Sequence, residues 1–538
     1  MKNTYIFLLG FLISSFNLFA QENIKLSENF TVEVGEEFSE TAGGIKEFYR
    51  HNEYVIKFAN HKRYDLIIQK FDPITLKEIE RIEKVGFFED TEKGKLIRVE
   101  RVGDNVVFLY RLWDKKNDSS IINIRTISLN DLVISDFKTV LSIGDEISTR
   151  AFDFKVSFDK TKFLVLYKLN PSKDKELKKF ERYSVNVFDK NVDKIWSNNI
   201  KIPYKKTVCM NLDYSIDNEG SFYFLTRVYK DEKSKKKKPF LNPDSSIELL
   251  ELHKDANDFV ISKIDVDDYF VDMTAIGQNP KGGVMVTGTL GKIFDMKKKD
   301  GVLSPIGFFF SYYDKAKGLL KVNRYNFQDK ILNKYKEDTR ILKKYRSKLG
   351  PYFNNLKITD VVYSDEESIL LIGEQYNNYS RSISSASIGY THSTVSRRFD
   401  DIYVAKILSD GSLAWSQRLP KQQRVDNRGA SEMSFEYVGL NGKHYLFYQD
   451  HIANLNRAED EAPSPLWDLT TGYLMAYVIN DENGSITKEP IFNLADVNNG
   501  KKLENFITDN ILKLSSSEIL IEGFNGDNKD FLVKVKAR

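Results

Sequence analysis

Apolar and polar residues alternate at period two through most of the chain, in short runs that come in pairs joined by a tight Asp, Asn, Gly or Ser turn. The first three pairs are "FYRHNEYVIKFA" from Phe48, "IRVERVGDNVVFLYRL" from Ile97 and "VSFDKTKFLVLYKL" from Val156. The next three are "YSIDNEGSFYFLTRVY" from Tyr214, "TAIGQNPKGGVMVTGT" from Thr274 and "VVYSDEESILLIGEQY" from Val361. The last two are "YVGLNGKHYLFYQD" from Tyr437 and "ILKLSSSEILIEGF" from Ile511. β-branched and aromatic residues at period two, bounded by turn formers, are the signature of a β-hairpin. Each hairpin is followed by a third strand, such as "YDLIIQKF" or "YLMAYVIN", and seven of the eight then turn into a fourth. The eighth unit stops at Arg538 after three strands, while "ENFTVEVGEEF" from Glu28 is a strand with no hairpin of its own.

These two loose ends predict one closed ring. The reading is an all-β, eight-bladed β-propeller of four-stranded antiparallel blades, in which the N-terminal strand completes the C-terminal blade. Closure removes the open sheet edges that a linear array would expose. The blades are placed near 46–86, 97–143, 151–204, 208–268, 271–327, 354–420, 431–494 and 503–538, the last completed by 28–38. A seven-bladed count and a pair of smaller β domains are the alternatives. One inserted helix is expected near 328–350. There Ile331, Leu332, Tyr335, Leu342, Tyr345 and Leu349 fall on one stripe of a 3.6-residue period, and Lys and Arg crowd the other side.

The first twenty residues, "MKNTYIFLLGFLISSFNLFA", stand apart from this pattern. A short polar start, an apolar run and a small residue before Gln21 form a secretory signal peptide, leaving 21–538 as a single propeller domain. The chain is expected to be exported, and periplasmic rather than extracellular. No other stretch is apolar for long enough to span a membrane as a helix. With Cys209 as the single cysteine, no intrachain disulfide can form, and its apolar strand predicts a buried, inert thiol.

Strand order then assigns the loops to faces. Turns between first and second and between third and fourth strands share one face, and they are expected to be uniformly short. Loops between second and third strands, and between blades, share the other face. That second class carries the insertions: 170–181, 230–244, 291–305, 328–350, 377–400 and 454–472. Insertions concentrated on one face mark the working surface of a repeat protein.

Charge adds a partner class. The whole chain is nearly neutral, with 80 Lys and Arg against 77 Asp and Glu. The insertions are locally basic through Lys173, Lys175, Lys178 and Lys179 and the run Lys235, Lys236, Lys237 and Lys238. The insertion "NNYSRSISSASIGYTHSTVSRRFD" is rich in Ser, Tyr and Asn, reads as a mobile loop, and resembles recognition loops in composition. The candidate partner-binding residues are therefore Lys235, Lys236, Lys237, Lys238, Tyr379, Arg381, Tyr390, Arg397 and Arg398. An envelope or outer-membrane protein or an anionic glycan is the expected partner, and not nucleic acid.

Chemistry is harder to place. The six histidines fall at no metal-ligating spacing, no G-x-S-x-G elbow occurs, and "DVDDYF" around Asp265 lacks the glycine of a calcium loop. No catalytic, metal or cofactor residue is nominated. Two units, "NVFDKNVDKIWSNNIKIP" around Trp196 and "AKILSDGSLAWSQRLP" around Trp415, resemble the quinoprotein-type propeller repeat, in which a strand, an Asp/Gly turn and a Trp recur. Eight-bladed rings of that type include quinone-dependent dehydrogenases and the BamB-like scaffolds of outer-membrane protein assembly. The Trp recurs in two units of eight here, and the Ala-x-Asp and Thr-Gly elements are missing. The resemblance thus implies the ring and no quinone. Two functions follow as expectations: a non-catalytic scaffold or accessory subunit of an envelope or secretion assembly, or a carbohydrate-binding or carbohydrate-active propeller with its site at the mouth of the central channel.

Overall fold

The computed structural model describes residues 26–39 and 46–538, except 62–64, 89–93, 115, 118, 145–146, 237–244, 268, 281, 294–302, 315–316, 320, 333, 336–354, 364–367, 386–389, 427–431, 459, 468–471, 498–501 and 526–528. The stretch expected as a signal peptide, 1–20, lies outside the described residues. Eight antiparallel sheets form the ring; seven are meanders of four strands paired in sequence order, and the eighth takes its outer strand from the N-terminal segment. Blade 1 is made of Lys46–His51, Tyr54–His61, Asp65–Phe71 and Glu78–Lys84. Blade 7 repeats the plan with Glu436–Leu440, Lys443–Asp450, Tyr473–Asn480 and Ile486–Asn493.

The ring closes as expected. Phe30–Val34 pairs antiparallel with Lys529–Ala537, in a register that runs from Phe30 opposite Ala537 to Val34 opposite Val533. The first strand of blade 8 is broken into Asn505–Phe506 and Leu512–Lys513 by a single 3₁₀ turn at Thr508–Asn510.

Position in the blade explains the composition of each strand. Middle strands are covered on both faces by neighbouring blades, so they can be apolar at every residue. Phe222, Tyr223, Phe224 and Leu225 are consecutive, and none is more than 1% exposed. Each such side chain contributes about 1.5–3 kcal/mol through burial. Between blades the aromatics interlock, as where Phe58 of blade 1 meets Phe108 of blade 2 edge-on. Outer strands see water and carry charge; Glu78–Lys84 has no buried residue.

Two seams are pinned by the tryptophans. The Trp196 indole of blade 3 donates to the Gly220 carbonyl in a turn of blade 4, and Trp415 of blade 6 donates to the Asp481 carbonyl in a turn of blade 7, both at 3.0 Å. Gly484 (φ +66°) lies flat against the Trp415 ring, where a Cβ would come within 2.6 Å. The turns themselves use left-handed residues: Asn441 and Gly442 are both at positive φ (48° and 70°), the pairing that a two-residue type I′ hairpin requires.

Two expectations need correction, and the inserted helix is seen in part. Turns of the first class are not uniformly short. Blade 2 spends residues 129–137 between its third and fourth strands, because Leu129 and Leu132 fold back into the seam beside Phe108 and Tyr110. The insertion expected as a mobile loop at 377–400 is paired β structure. Ile369–Ser385 and Tyr390–Ile407 of blade 6 run on as one hairpin, from Tyr376 opposite Phe399 out to Ser385 opposite Tyr390. Among the described residues near 328–350, the helix is one turn, Asp329–Leu332. Its apolar side chains Ile331 and Leu332, with Tyr335, are buried as the stripe requires; Leu342, Tyr345 and Leu349 lie outside the described residues.

Candidate functional site: the loop-bearing face and the seam of blades 6 and 7

Among the described residues, the hairpin of blade 6 is the longest paired extension on the loop-bearing face. Its outer part, residues 376–399, forms an arm that carries Arg381, Arg397 and Arg398 and no Asp or Glu. Tyr379 and Arg381 stand on its outgoing strand, and Tyr390, Arg397 and Arg398 on its returning strand. The structure thus brings five of the nine sequence candidates onto one element. Gln423–Asp426 adds a third strand at the root, pairing with Ser396 to Phe399.

That root is built on buried charge. Lys421 (fully buried) reaches Glu374 at 2.6 Å and donates to the Phe399 carbonyl at 3.0 Å. Ser434 donates to the second oxygen of Glu374 at 2.7 Å. Nearby, Arg418 donates to Asp401 at 2.6 Å and to the Ile331 carbonyl at 3.0 Å, while the Tyr335 hydroxyl donates to the other Asp401 oxygen at 2.7 Å. A buried pair of this kind is costly to break, because the remaining charge has no water to turn to. The arm therefore springs from a rigid base. Asp400, at the same root, is pushed up to about 6 by burial and by the adjacent Asp401 carboxylate.

The lysine run behaves differently. Lys235 sits in the short helix Glu232–Lys236 and turns back on its own blade, donating to the Lys206 and Cys209 carbonyls. Lys236 ends that helix; Lys237 and Lys238 lie outside the described residues. Cys209, whose carbonyl accepts from Lys235, is 5% exposed, and burial pushes its thiol up to about 11, as the inert reading expects.

At the opposite end of the ring, the channel is bridged. Gln278 of blade 5 donates to the Val156 carbonyl of blade 3 at 2.6 Å, and Phe158 of blade 3 meets Tyr363 of blade 6 with ring centroids 6.2 Å apart. Carboxylates lie along the first strands or first-strand segment: Glu47, Asp360, Glu436 and Asp509. Burial pushes Glu436 up to about 8, helped by the negative charges of Asp509 and Asp360, and pushes Glu47 up to about 7, helped by Glu100. Burial also raises Asp360 and Asp509. Asp360 is open to solvent yet hemmed in by protein, as befits a group on a narrow channel. Among the described residues, no cluster of His, Cys, Asp and Glu is arranged to hold a metal ion. His444 is a packing group, bridging Asp481 at 2.8 Å and Tyr437 at 2.9 Å, and burial lowers its pKa.

A hollow of about 240 Å³ opens in the seam between blades 6 and 7. Its walls come from the end of the fourth strand of blade 6 (Arg418, Leu419, Pro420), from Lys334 beside the one-turn helix, and from the insertion of blade 7 (Asn454 to Pro463). Tyr477, Ile486 and Lys488 of blade 7 complete it. None of these residues is a sequence candidate. They lie far apart along the chain, and only the insertion at 454–472 hinted at the region.

No known protein family matches the chain by sequence, and no curated protein does. Solved structures do. Prolyl oligopeptidase B from Galerina marginata shares 10% identity at a TM-score of 0.37, over 91% of this chain and 55% of that one. The WD40 domain of SCAP from fission yeast shares 7% at 0.33, over 95% and 99%. The β-propeller domain of the Trilobed protease from Pyrococcus furiosus shares 10% at 0.25, over 66% and 94%. The chain spans about half the length of the prolyl oligopeptidase. With every TM-score below 0.5, none of these likenesses carries a functional argument, and none bears on the quinoprotein-type repeat. The chain is an eight-bladed propeller on the strength of its own strand pairing.

Proposed function

We propose that this propeller is an exported, non-catalytic binding scaffold of the cell envelope, which docks an acidic protein partner on its loop-bearing face. The observation that supports this most is the arm at 376–399: a paired hairpin, free of acidic residues, rooted on the buried Lys421–Glu374 and Arg418–Asp401 pairs. A rigid root keeps the entropic cost of ordering a binding element low. Arginine-rich strands suit carboxylate surfaces because guanidinium binds carboxylate in two-pronged fashion.

The test is affinity capture from an envelope extract with the tagged mature protein, beside a variant in which Asn-Gly replaces 376–399. A stoichiometric partner that the wild type retains and the variant loses supports the reading. Equal capture by both, or capture of nothing, overturns it.

A second reading has one observation in its favour. Glu436, held up at about 8 beside Asp360 and Asp509 on the channel, is a carboxyl poised to stay protonated near neutrality, which a glycan-cleaving acid needs. Hydrolysis of an envelope polysaccharide that disappears in Glu436→Gln would favour it over the scaffold.

A further inference from the structure

We propose that the hollow between blades 6 and 7 is a binding site for a compact carboxylate, the size of one acidic sugar or one acidic amino acid. The inference goes beyond partner docking and concerns a small ligand that the isolated protein would take.

Size sets the first limit. Sites for drug-sized ligands measure roughly 300–1,000 Å³, and a cavity of about 150 Å³ holds one benzene ring. At about 240 Å³ the hollow fits a single residue and not a chain. Its lining is part apolar, from Leu419, Leu455 and the Tyr477 ring, so it can cover the body of a ligand while polar groups grip one end.

Charge sets the second. Four cations line the hollow, Lys334, Arg418, Arg457 and Lys488, against one carboxylate, Glu461. Two of these cations are balanced from behind: Arg418 by Asp401 at 2.6 Å, and Lys488 by Asp450 at 2.7 Å. Arg457 is held by neutral partners, the Ala462 carbonyl at 2.5 Å and the Ser464 hydroxyl at 2.6 Å. Its charge is therefore spent on no carboxylate among these contacts, and it stands at the solvent end of the hollow. A carboxylate entering there would gain a charge-assisted bond in a partly dry setting.

Rigidity is the third. The loop that carries Arg457 is knotted by Asn454, 4% exposed, which donates to Asp450 at 2.7 Å and to the Ser464 carbonyl at 2.8 Å and accepts from the Ser464 amide at 2.6 Å. Every hydrogen-bonding position of that amide but one lone pair is used. A loop this tied down keeps the seam open instead of collapsing into it, and a preformed site gives up little entropy on binding.

The experiment titrates the intact mature protein with glucuronate, N-acetylglutamate and glucose at low salt, read by protein NMR or calorimetry, beside Arg457→Ala. Saturable binding of an acid but not of glucose, weakened about tenfold or more in the variant, is the expected result. Tighter glucuronate assigns the source to acidic glycan, and tighter N-acetylglutamate assigns it to peptide or amino acid. Absence of saturable binding by both acids, or binding unchanged in Arg457→Ala, overturns the proposal. The variant's thermal melt, expected to overlie that of wild type for an exposed side chain, shows that the fold is intact. Failure here leaves arm-dependent partner capture untouched, since that is read on a different variant.

Discussion

The seam that closes the ring, between blades 8 and 1, and the seam between blades 6 and 7 are built from the same kinds of part, yet one is filled and the other hollow. In the closing seam, Lys57 of blade 1 sits fully buried between Glu522 and Asp530 of blade 8, 3.3 Å from the latter, and Lys46 reaches Asp530 at 3.7 Å. The rings of Phe38 and Phe48 lie 5.1 and 5.7 Å from the Lys57 ammonium. Burial pushes the Glu522 carboxyl up while Lys57 and Lys46 pull it down. At blades 6 and 7, Trp415 and Lys406 clamp the Asp481 turn at one end, but insertions prop the other end apart. Charges that face each other across a filled seam decide which blade meets which. Charges around a hollow leave something to recognise.

The largest expected effect breaks the filled seam. Lys57→Ala strands the buried Glu522 carboxylate without the cation that bonds it, leaves Asp530 with the more distant Lys46 alone, and should cost about 3–5 kcal/mol by urea unfolding. The same truncation at Lys488, whose Asp450 partner keeps its bond from Asn454, should cost about 1 kcal/mol. Equal costs would erase the distinction between the seams.

Next come the first strands of blades 7 and 1, which carry Glu436 and Glu47. Glu436 and Glu47 hold their protons more tightly when folded (about 8 and about 7) than in the unfolded chain (near 4.5). Their stabilising contribution is present below about 4.5 and fades as pH rises through 7 to 8. Glu436→Gln should flatten that decline and stabilise the protein at pH 8 by about 2 kcal/mol, allowing for partial solvation. Thermal melts from pH 5 to 9 read it; parallel curves for the two proteins would refute it.

The smallest effect concerns the clamp. Trp415→Phe removes the bond to the Asp481 carbonyl and part of a ring, and should cost about 1–2 kcal/mol. Because that bond pins one end of the hollow seam, the substitution should also speed amide exchange in the 480–485 turn. Trp196→Phe should do the same at 217–221 and leave 480–485 unchanged. Spread of faster exchange across both turns would mean that the seams are not independent.

Much of this ring was legible in the chain. Period-two pairs with tight turns recur eight times, and Phe30–Val34 finds its place because the last unit lacks a strand. What misled was the arm. Its Ser, Asn and Tyr composition reads as loop, since the pairing that makes it a strand comes from its opposite half, Tyr376 meeting Phe399, and from continuity with the blade. The seam hollow left no trace beyond the insertion at 454–472, because Arg418, Arg457, Tyr477 and Lys488 sit on elements with no common periodicity.

By itself, then, the sequence determined the all-β class, the recurrence of the hairpin unit and the route of closure, while the strand pairing settled the count of eight blades. The first three follow from local alternation and turn chemistry, which act over a few residues. Tertiary structure alone decided which charges are spent on each other and which surround an open space. That outcome depends on distances between blades, and ring closure sets those distances for all eight at once.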